Sequence, residues 1–190
     1  MRATLVSRRA FTLGITAVPV GLSVAARASG ESSSVPGAGG AGDGLTHSSE
    51  AIHQEVNIKA SRQRVYAALT STQQFDALTR LSDGATLLTA PNAQATFISP
   101  EVGGAFVLFG GYVTGRHLEM VQGERLVQAW RAGSWRAGDY SIVRFVLVAQ
   151  GAGCHLVFDH RGFPEGQGDH LAYGWRVHYW EPLAKLLARD

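Results

Sequence analysis

DHLAYGWRVHYWEPLAKLLA, residues 169–188, carries the clearest helical periodicity in the chain. Large apolar residues recur in it at steps of three and four, the spacing that gives an α-helix one broad apolar face. They are Leu171, Trp175, Tyr179, Pro182, Leu183 and Leu186. The spacing predicts a long C-terminal helix, bent at Pro182 because proline lacks a backbone N–H. A face this wide needs another layer of structure to cover it.

The residues before this helix are predicted to supply that layer as a β-sheet. A first strand around Ile52–Ile58 is followed by two short helices, at about 62–69 and 72–80, with serine or threonine at their starts. Strand-like runs then follow at 85–89, 95–99, 105–109, 112–121, 126–131, 140–149 and 154–160. Short glycine-rich connections separate them, which makes neighbouring strands antiparallel. The predicted fold class is therefore α+β, with a curled antiparallel sheet covered by the C-terminal helix.

The N-terminal region is predicted to be an export signal. The basic start SRRAF, residues 7–11, resembles the twin-arginine signal, whose receptor carries folded proteins across the membrane. An apolar stretch over 11–26 follows, and Ala26-Arg27-Ala28 offers small residues to a signal peptidase. The apolar stretch is too short for a membrane anchor, because about 20 apolar residues are needed to span a bilayer. We therefore expect an exported protein, periplasmic or extracellular, with no stable membrane anchor after cleavage.

This interpretation divides the chain into a signal over 1–28, a Gly- and Ser-rich flexible tether over 29–50 and one domain over 51–190. It also changes the meaning of the charge. The chain has 17 Lys and Arg against 15 Asp and Glu; four of the bases precede Ser29, which leaves 13 against 15 and a net charge of −2. The basic excess thus belongs to the signal and does not indicate a nucleic-acid partner.

Several short motifs of the domain occur in a recognisable order. They are Gly103-Gly104, Val113-Thr114-Gly115, Trp130-Arg131 with Trp135, Gly162-Phe163-Pro164, and Gly174-Trp175 with Tyr179. In this order the domain resembles the family of activators of heat-shock-protein-ninety ATPase (AHSA-like), within the START/SRPBCC superfamily. The resemblance implies the helix-grip fold, in which a curved sheet wraps a C-terminal helix and leaves a cavity. The family's co-chaperones carry a further N-terminal domain that engages a cytosolic ATPase, and this chain has a signal and tether in its place.

Aromatic side chains are predicted to line such a cavity, with two histidines as polar groups. The candidates are Phe97, Phe106, Trp130, Phe145, Phe158, His160, Trp175, His178 and Tyr179. Packing in a closed core is the alternative role for each of them. Aromatic walls with one or two polar groups suit a small hydrophobic ligand, and binding such a molecule is the preferred function.

Neither a metal ion nor another cofactor is expected. His155 and Asp159 share one face of a strand but lie about 13 Å apart, and His160 points to the opposite face. Metal ligands must converge within roughly 2.0–2.2 Å of one ion. Cys154, the single cysteine, has no activating partner in the sequence, and no G-x-S-x-G motif is present. Because no pair of catalytic groups can be placed, a cyclase- or hydrolase-type enzyme ranks third.

A second apolar stripe lies on the back of the predicted C-terminal helix. It consists of Tyr173, Val177, Trp180 and Ala184. An exposed stripe of this kind indicates a protein partner or a homodimer seam, and cover by loops or by the tether is the alternative. A protein-interaction module of the co-chaperone kind is therefore the second functional hypothesis.

Overall fold

Seven antiparallel strands form one sheet in the computed structural model, which describes residues 50–188. The strands are β1 (Ala51–Ile58), β2 (Phe97–Ile98), β3 (Ala105–Leu108), β4 (Val113–Val121), β5 (Arg125–Ala132), β6 (Ser141–Gln150) and β7 (Gly153–Arg161). Their order across the sheet is β1-β7-β6-β5-β4-β3-β2, so the first strand pairs with the last. The predicted fold class is confirmed. The expected signal over 1–28 and the tether up to residue 49 lie outside the described residues.

Two short helices follow β1, as predicted. They are α1 (Arg62–Thr70) and α2 (Thr72–Thr79). The Ser61 side chain accepts a hydrogen bond from the N–H of Arg64, and Ser71 caps the second helix in the same way through the N–H of Gln74. No helix in the described part of the chain is long and apolar enough to cross a membrane.

The strand predicted at 85–89 is wrong. Residues Asp83–Thr89 form a 3₁₀ helix instead. The Ser82 hydroxyl accepts a hydrogen bond from the N–H of Gly84, and the hydroxyls of Thr86 and Thr89 each bond the carbonyl three residues earlier. Local side-chain bonds of this kind compete with strand pairing, so the β-branched threonines here stabilise a turn.

The C-terminal helix, residues 168–187, is not a uniform α-helix. It consists of α3 (Gly168–Trp175), a π-helical turn (Arg176–Trp180) and α4 (Glu181–Leu187). In the π turn the N–H of Glu181 bonds the carbonyl of Arg176, five residues earlier. Pro182 follows directly; it has no N–H to donate, and its ring would clash with the carbonyl four residues back. The bend expected at Pro182 thus corresponds to a widened turn just before it.

The π turn overturns the prediction for Trp180. In a straight α-helix, residues five apart point about 140° away from each other, which placed Trp180 opposite Trp175. The wider turn reduces this angle, and the two indole rings lie nearly parallel with centroids 5.7 Å apart. Trp180 is only 6% exposed. It belongs to the core, where it contacts Phe158 and Phe145 of the sheet.

Two polar side chains fasten the start of the domain to the C-terminal helix. Gln54 of β1 accepts a hydrogen bond from the indole N–H of Trp180 and donates one to the carbonyl of Ala172, at 3.0 Å. Glu50 accepts hydrogen bonds from the backbone N–H groups of Gly166 and Gly168, just before and at the start of α3. The edge strand β1 is therefore held by side chains as well as by its pairing with β7.

Candidate ligand-binding cavity

A cavity of about 360 Å³ lies between one end of the sheet and the C-terminal helix. The sheet contributes Val113, Trp130 and Ala132, and the 3₁₀ helix with the β3–β4 connection contributes Gly84, Leu87 and Phe109. The opposite wall belongs to the C-terminal helix and consists of Leu171, Gly174, Trp175, His178 and Tyr179. This volume lies within the range of small-molecule sites in proteins, roughly 300–1,000 Å³.

The cavity opens to solvent at one end. Leu87, Tyr112 and Tyr173 line it and are all exposed, with Tyr173 reaching 56%. Gln167 and His170 also contribute to this rim. Tyr112 and Ser134 hydrogen-bond each other there, with their oxygens 3.3 Å apart. A ligand therefore has a route into the cavity that does not require the core to open.

The inner wall is aromatic. Trp130 meets Trp135 edge to face with ring centroids 5.4 Å apart, and lies 5.6 Å from Trp175. Tyr179 continues the wall at 4.2 Å from Trp175. Phe109 closes the far side, 5.3 Å from Tyr179, with a backbone φ of 50°. A positive φ is uncommon for a bulky residue. Gly110 and Gly111, which follow Phe109, also have positive φ, so all three residues form one tight turn that fixes the position of the Phe109 ring.

Four of the nine predicted cavity residues line this cavity. They are Trp130, Trp175, His178 and Tyr179. Phe106, Phe145, Phe158 and His160 are buried in the closed core and do not line the cavity, so core packing is the role that applies to them. Phe97 lies on the edge strand β2, is 52% exposed and is also absent from the lining.

The sequence analysis did not assign six apolar or aromatic lining residues to the cavity. They are Leu87, Phe109, Tyr112, Val113, Trp135 and Leu171. Phe109 and Tyr112 flank the Gly110-Gly111 pair, a signal that could have placed them on a turn at the end of the sheet. Tyr173, predicted as part of a partner surface, lies instead at the cavity mouth, and its ring contacts the Arg176 guanidinium at 5.0 Å.

His160 is locked in the core by hydrogen bonds. The indole N–H of Trp175 donates to its Nδ1 at 3.0 Å, so Nδ1 carries no proton. Its Nε2 then donates to the Ser141 hydroxyl at 2.7 Å, and that hydroxyl donates to the Trp130 carbonyl. Burial lowers the pKa of His160 to about 3. The histidine is a neutral structural bridge between β7, β6 and the helix.

Three buried polar atoms of cavity-lining residues lack a regular hydrogen-bond partner among the described residues. Nδ1 of His178 has none, and the Trp130 indole N–H and the Tyr179 hydroxyl have only each other, in a contact short of regular hydrogen-bond geometry. Burial raises the pKa of Tyr179, and the neighbouring Trp130 indole offsets only part of this rise. Burial also lowers the pKa of His178, with Asp83 opposing the shift and His170 adding to it. All three side chains are neutral near pH 7.

The sequence profile of the family "Activator of Hsp90 ATPase homolog 1-like protein" matches residues 59–188. That segment covers α1 through the C-terminal helix and includes the whole cavity. The chain belongs to this family. The helix-grip fold expected from the motifs is therefore confirmed both by the family and by the sheet-and-helix architecture.

Curated relatives of this AHSA1-like domain match it over part of their length. The chain is 26% identical over 90 residues to mouse activator of 90 kDa heat shock protein ATPase homolog 2, a match covering 47% of this chain and 27% of that protein. It is 30% identical over 80 residues to an uncharacterized protein of Schizosaccharomyces pombe, covering 42% and 24% respectively. The matches span about a quarter of the length of these curated relatives.

Solved structures share the AHSA1-like fold. An HSP90 activator from Plasmodium falciparum superposes with a TM-score of 0.60 at 21% identity, covering 73% of this chain and 96% of that one. A Chromobacterium violaceum protein gives 0.58 at 23% identity, covering 74% and 98%. The Aha1 dimer from Colwellia psychrerythraea gives 0.54 at 17% identity, covering 73% and 96%. At these sequence identities, the similarity between the structures shows a shared fold.

Cys154 and the histidines on the outer face of the AHSA1-like domain have structural surroundings. Cys154 is buried at the start of β7, and burial raises the pKa of its thiol, which keeps it protonated and unreactive. Within residues 50–188, no three His, Cys, Asp or Glu side chains are placed to hold one metal ion. The outer-face histidines His53 and His155 instead bond Glu55, Asp159 and Asn57 across the β1–β7 pair.

Proposed function

We propose that the protein is exported and binds a small, uncharged hydrophobic molecule in the cavity between sheet and C-terminal helix. The observation that carries the proposal is a solvent-connected cavity of about 360 Å³ with an aromatic inner wall. A residual packing defect would be dry, closed and smaller. The lining, drawn entirely from described residues, includes no Asp, Glu, Lys or Arg side chain. A charged ligand would lose its hydration there without gaining a partner, which favours a neutral one.

Binding is better supported than catalysis. His160, a candidate polar group of the cavity, is held neutral in the core, and Cys154, for which the sequence offered no activating partner, is a buried thiol with a raised pKa. The two histidines in the lining, His170 and His178, have no carboxylate beside them within the cavity wall. An acid–base pair with separated pKa values, the usual mark of a hydrolytic site, is therefore missing from the described lining.

The partner surface expected on the back of the C-terminal helix does not include Trp180. It depended on an exposed stripe through Trp180, which is buried. Relatives are named as activators of a heat-shock ATPase, and one solved neighbour is named as a dimer. An association through other surfaces remains an alternative that sedimentation velocity of the purified domain tests directly.

Filling the cavity should abolish binding without unfolding the protein. Gly174 lines the cavity within α3, and a Cβ placed there would meet only His178 Cδ2, at 3.9 Å. A leucine at this position extends into the cavity, so Gly174→Leu should weaken binding of the neutral fluorescent probe N-phenylnaphthylamine by at least about tenfold. The measurement is probe fluorescence titrated against protein, which should give one site per wild-type chain.

Gly174→Ala is the matched control. It should retain probe binding and raise the free energy of unfolding by about 0.5–1 kcal/mol, because glycine is a poor helix former and the added methyl makes only an ordinary van der Waals contact with His178. Undiminished probe binding to the Gly174→Leu variant would place the probe elsewhere and remove the support for this cavity as the site.

Export is tested separately. Replacing Arg8 and Arg9 together by lysine should leave uncleaved precursor in the cytoplasm, because the twin-arginine receptor reads the arginine pair rather than the positive charge. Cell fractionation with N-terminal sequencing measures the outcome, and we expect the wild-type exported form to begin at Ser29. Normal export of the lysine variant, or a protein that begins at Met1, would contradict this part of the proposal.

A further inference from the structure

The first strand, β1, forms a long and regular edge of the sheet. It pairs with β7 without a bulge, from Ala51 opposite Arg161 to Ile58 opposite Cys154. Its other side faces no strand among the described residues. The opposite edge strand, β2, has only two residues. Unpaired N–H and C=O groups along a regular edge are a template for a further strand, so β1 is the edge at which this sheet can be extended.

Space for another strand lies beside the first half of this edge. An open cleft of about 500 Å³ is lined by residues 50–54 on one side and by Gly166, Gly168, Asp169 and Ala172 on the other. Neighbouring strands of a sheet lie about 4.8 Å apart, so a strand added to β1 would enter this cleft. The edge is therefore accessible from solvent.

The side chains of β1 limit how two copies of it can pair. They alternate between the core face and the solvent face of the sheet. In a dimer with a twofold axis perpendicular to the sheet, residues that face each other across the new strand pair must lie on the same face. The axis then passes through one residue of β1. The core-face residues are Ile52, Gln54, Val56 and Ile58, and the solvent-face residues are Ala51, His53, Glu55 and Asn57.

An axis at Gln54 makes the strand complementary to itself. His53 then faces Glu55 of the second copy, and Glu55 faces its His53. On the core face, Ile52 faces Val56 of the second copy, so the apolar row continues across the interface. An axis at Glu55 would instead bring two carboxylates together, and an axis at His53 two imidazoles. Opposite charges facing each other across a strand pair are stabilising and like charges are destabilising, so the sequence of β1 favours the axis at Gln54.

The charges on the solvent face extend this pattern into the sheet. Arg144 of β6 pairs with Asp159 of β7 at 3.6 Å, and Asp159 bonds His53 of β1 at 2.9 Å. These three residues are in register across neighbouring strands. Asp159, followed by the nearby Glu55, raises the pKa of His53, which favours its cationic form. The row of alternating charges ends at the open edge with a cation, beside which Glu55 of a second copy places a carboxylate.

The segment that precedes β1 is a poor competitor for this edge. Residues 29–49 contain only Val35 and Thr46 as β-branched residues and no Phe, Tyr or Trp. Glycine, serine and proline predominate instead, and glycine and proline are depleted in strands. β1 itself, AIHQEVNI, has three β-branched residues, Ile52, Val56 and Ile58. A second copy of β1 therefore fits the edge better than the chain's own N-terminal segment.

We propose that β1 is a dimerisation edge, at which two copies of the chain pair antiparallel about Gln54 and join their sheets into one. A single strand pair is smaller than the roughly 1,200–2,000 Å² interfaces of stable complexes, so we expect a reversible dimer. The inference concerns a protein-interaction surface and does not depend on the cavity or its ligand.

Exchanging the charges at the interface tests the proposal. His53→Glu places two carboxylates opposite each other in both solvent-face pairs, and Glu55→Lys places two basic side chains there. Each variant alone should therefore dimerise at least about tenfold more weakly than the wild type. An equal mixture of the two variants restores opposite charges in both pairs, so it should dimerise about as well as the wild type. Sedimentation velocity over a concentration series, at about pH 6 and low salt, measures all four samples.

Gln150→Glu is the matched control. Gln150 is exposed on β6, two strands from the edge, so a carboxylate there changes the charge of the protein without touching the proposed interface. Its dimerisation should equal that of the wild type. Circular dichroism establishes that each variant folds. If His53→Glu does not fold because its carboxylate lies beside Asp159, the result for Glu55→Lys decides.

A wild-type protein that remains monomeric throughout the concentration series would overturn the proposal. A dimer that neither charge variant weakens would also overturn it, because the copies would then associate through another surface. A monomeric wild type that dimerises once residues 30–44 are deleted would show that the chain's own N-terminal segment occupies the edge, which again contradicts a second copy as the partner.

Discussion

Trp180→Ala should lower the free energy of unfolding by about 3–5 kcal/mol, the usual cost of removing a large aromatic side chain from a core. The indole packs beside Trp175 and against Phe158, and its N–H donates to Gln54. Alanine would leave both a void and an unpaired amide oxygen. Urea denaturation followed by circular dichroism measures the change.

Tyr173→Ala on the same helix is the comparison. Tyr173 is exposed, and its contact with Arg176 is a surface cation–π pair, so this substitution should cost less than about 1 kcal/mol. Trp180→Phe should fall between the two, because it keeps a ring in the core but loses the donor. Equal stability of the Trp180→Ala and Tyr173→Ala variants would mean that the helix continues as a regular α-helix with Trp180 outside.

The second large effect is acid destabilisation through His160. Its pKa is about 3 in the folded protein, against 6.5 when unperturbed. Below pH 6.5 the unfolded chain takes up a proton that the folded protein does not bind. The stability that His160 contributes is therefore complete above pH 6.5 and is lost as the pH falls toward 3, at about 1.4 kcal/mol per pH unit.

His160→Gln isolates this effect, because glutamine can accept from Trp175 and donate to Ser141 without titrating. Between about pH 6.5 and pH 4.5, the stability advantage of the wild type over this variant should shrink by roughly 2 kcal/mol. Urea midpoints at both pH values provide the test.

His53→Gln is the control on the outer face. The pKa of His53 is raised by its bonds to Asp159 and then Glu55. The stability that His53 contributes is present below pH 6.5 and is lost as the pH rises above it, which is the opposite pH dependence to that of His160. The His53→Gln variant should therefore lose stability in acid as the wild type does. If the stability difference between the wild type and His160→Gln did not change with pH, His160 would bind its proton in the folded protein as readily as in the unfolded chain.

The sequence was sufficient for most of the architecture. Glycine-rich connections marked the antiparallel strands from β3 to β7, and the spacing of Leu171, Trp175 and Tyr179 marked the face of the C-terminal helix that the sheet covers. These signals are local, and each depends on a side-chain period or a turn that a few neighbouring residues determine. The strand predicted at 85–89 was wrong because threonine is β-branched and therefore favours strands, whereas the Thr86 and Thr89 hydroxyls bond nearby carbonyls and stabilise the 3₁₀ helix.

The cavity was less predictable, for a different reason. Whether an aromatic ring lines a cavity or fills the core depends on how far the sheet and helix separate at that point, and the sequence carries no local signal of that distance. Trp130 and Phe145 have similar inward positions on adjacent strands, yet only Trp130 reaches the cavity. For Trp180, Pro182 signalled an irregular helix, but not that an extra residue in the preceding turn would rotate Trp180 toward the sheet.

The attachment of β1 to the C-terminal helix also affects the order of folding. Among the described strands β1 pairs only with β7, and Gln54 bonds residues 118 and 126 positions later in the chain. Contacts of such high sequence separation form late, because a long loop must close before they stabilise anything. A chain leaving the ribosome therefore exposes its first strand unpaired until β7 has been synthesised, and Gln54 lacks its partners until the last helix follows. The export in a folded state that we propose would therefore have to wait until the C-terminal helix has been made.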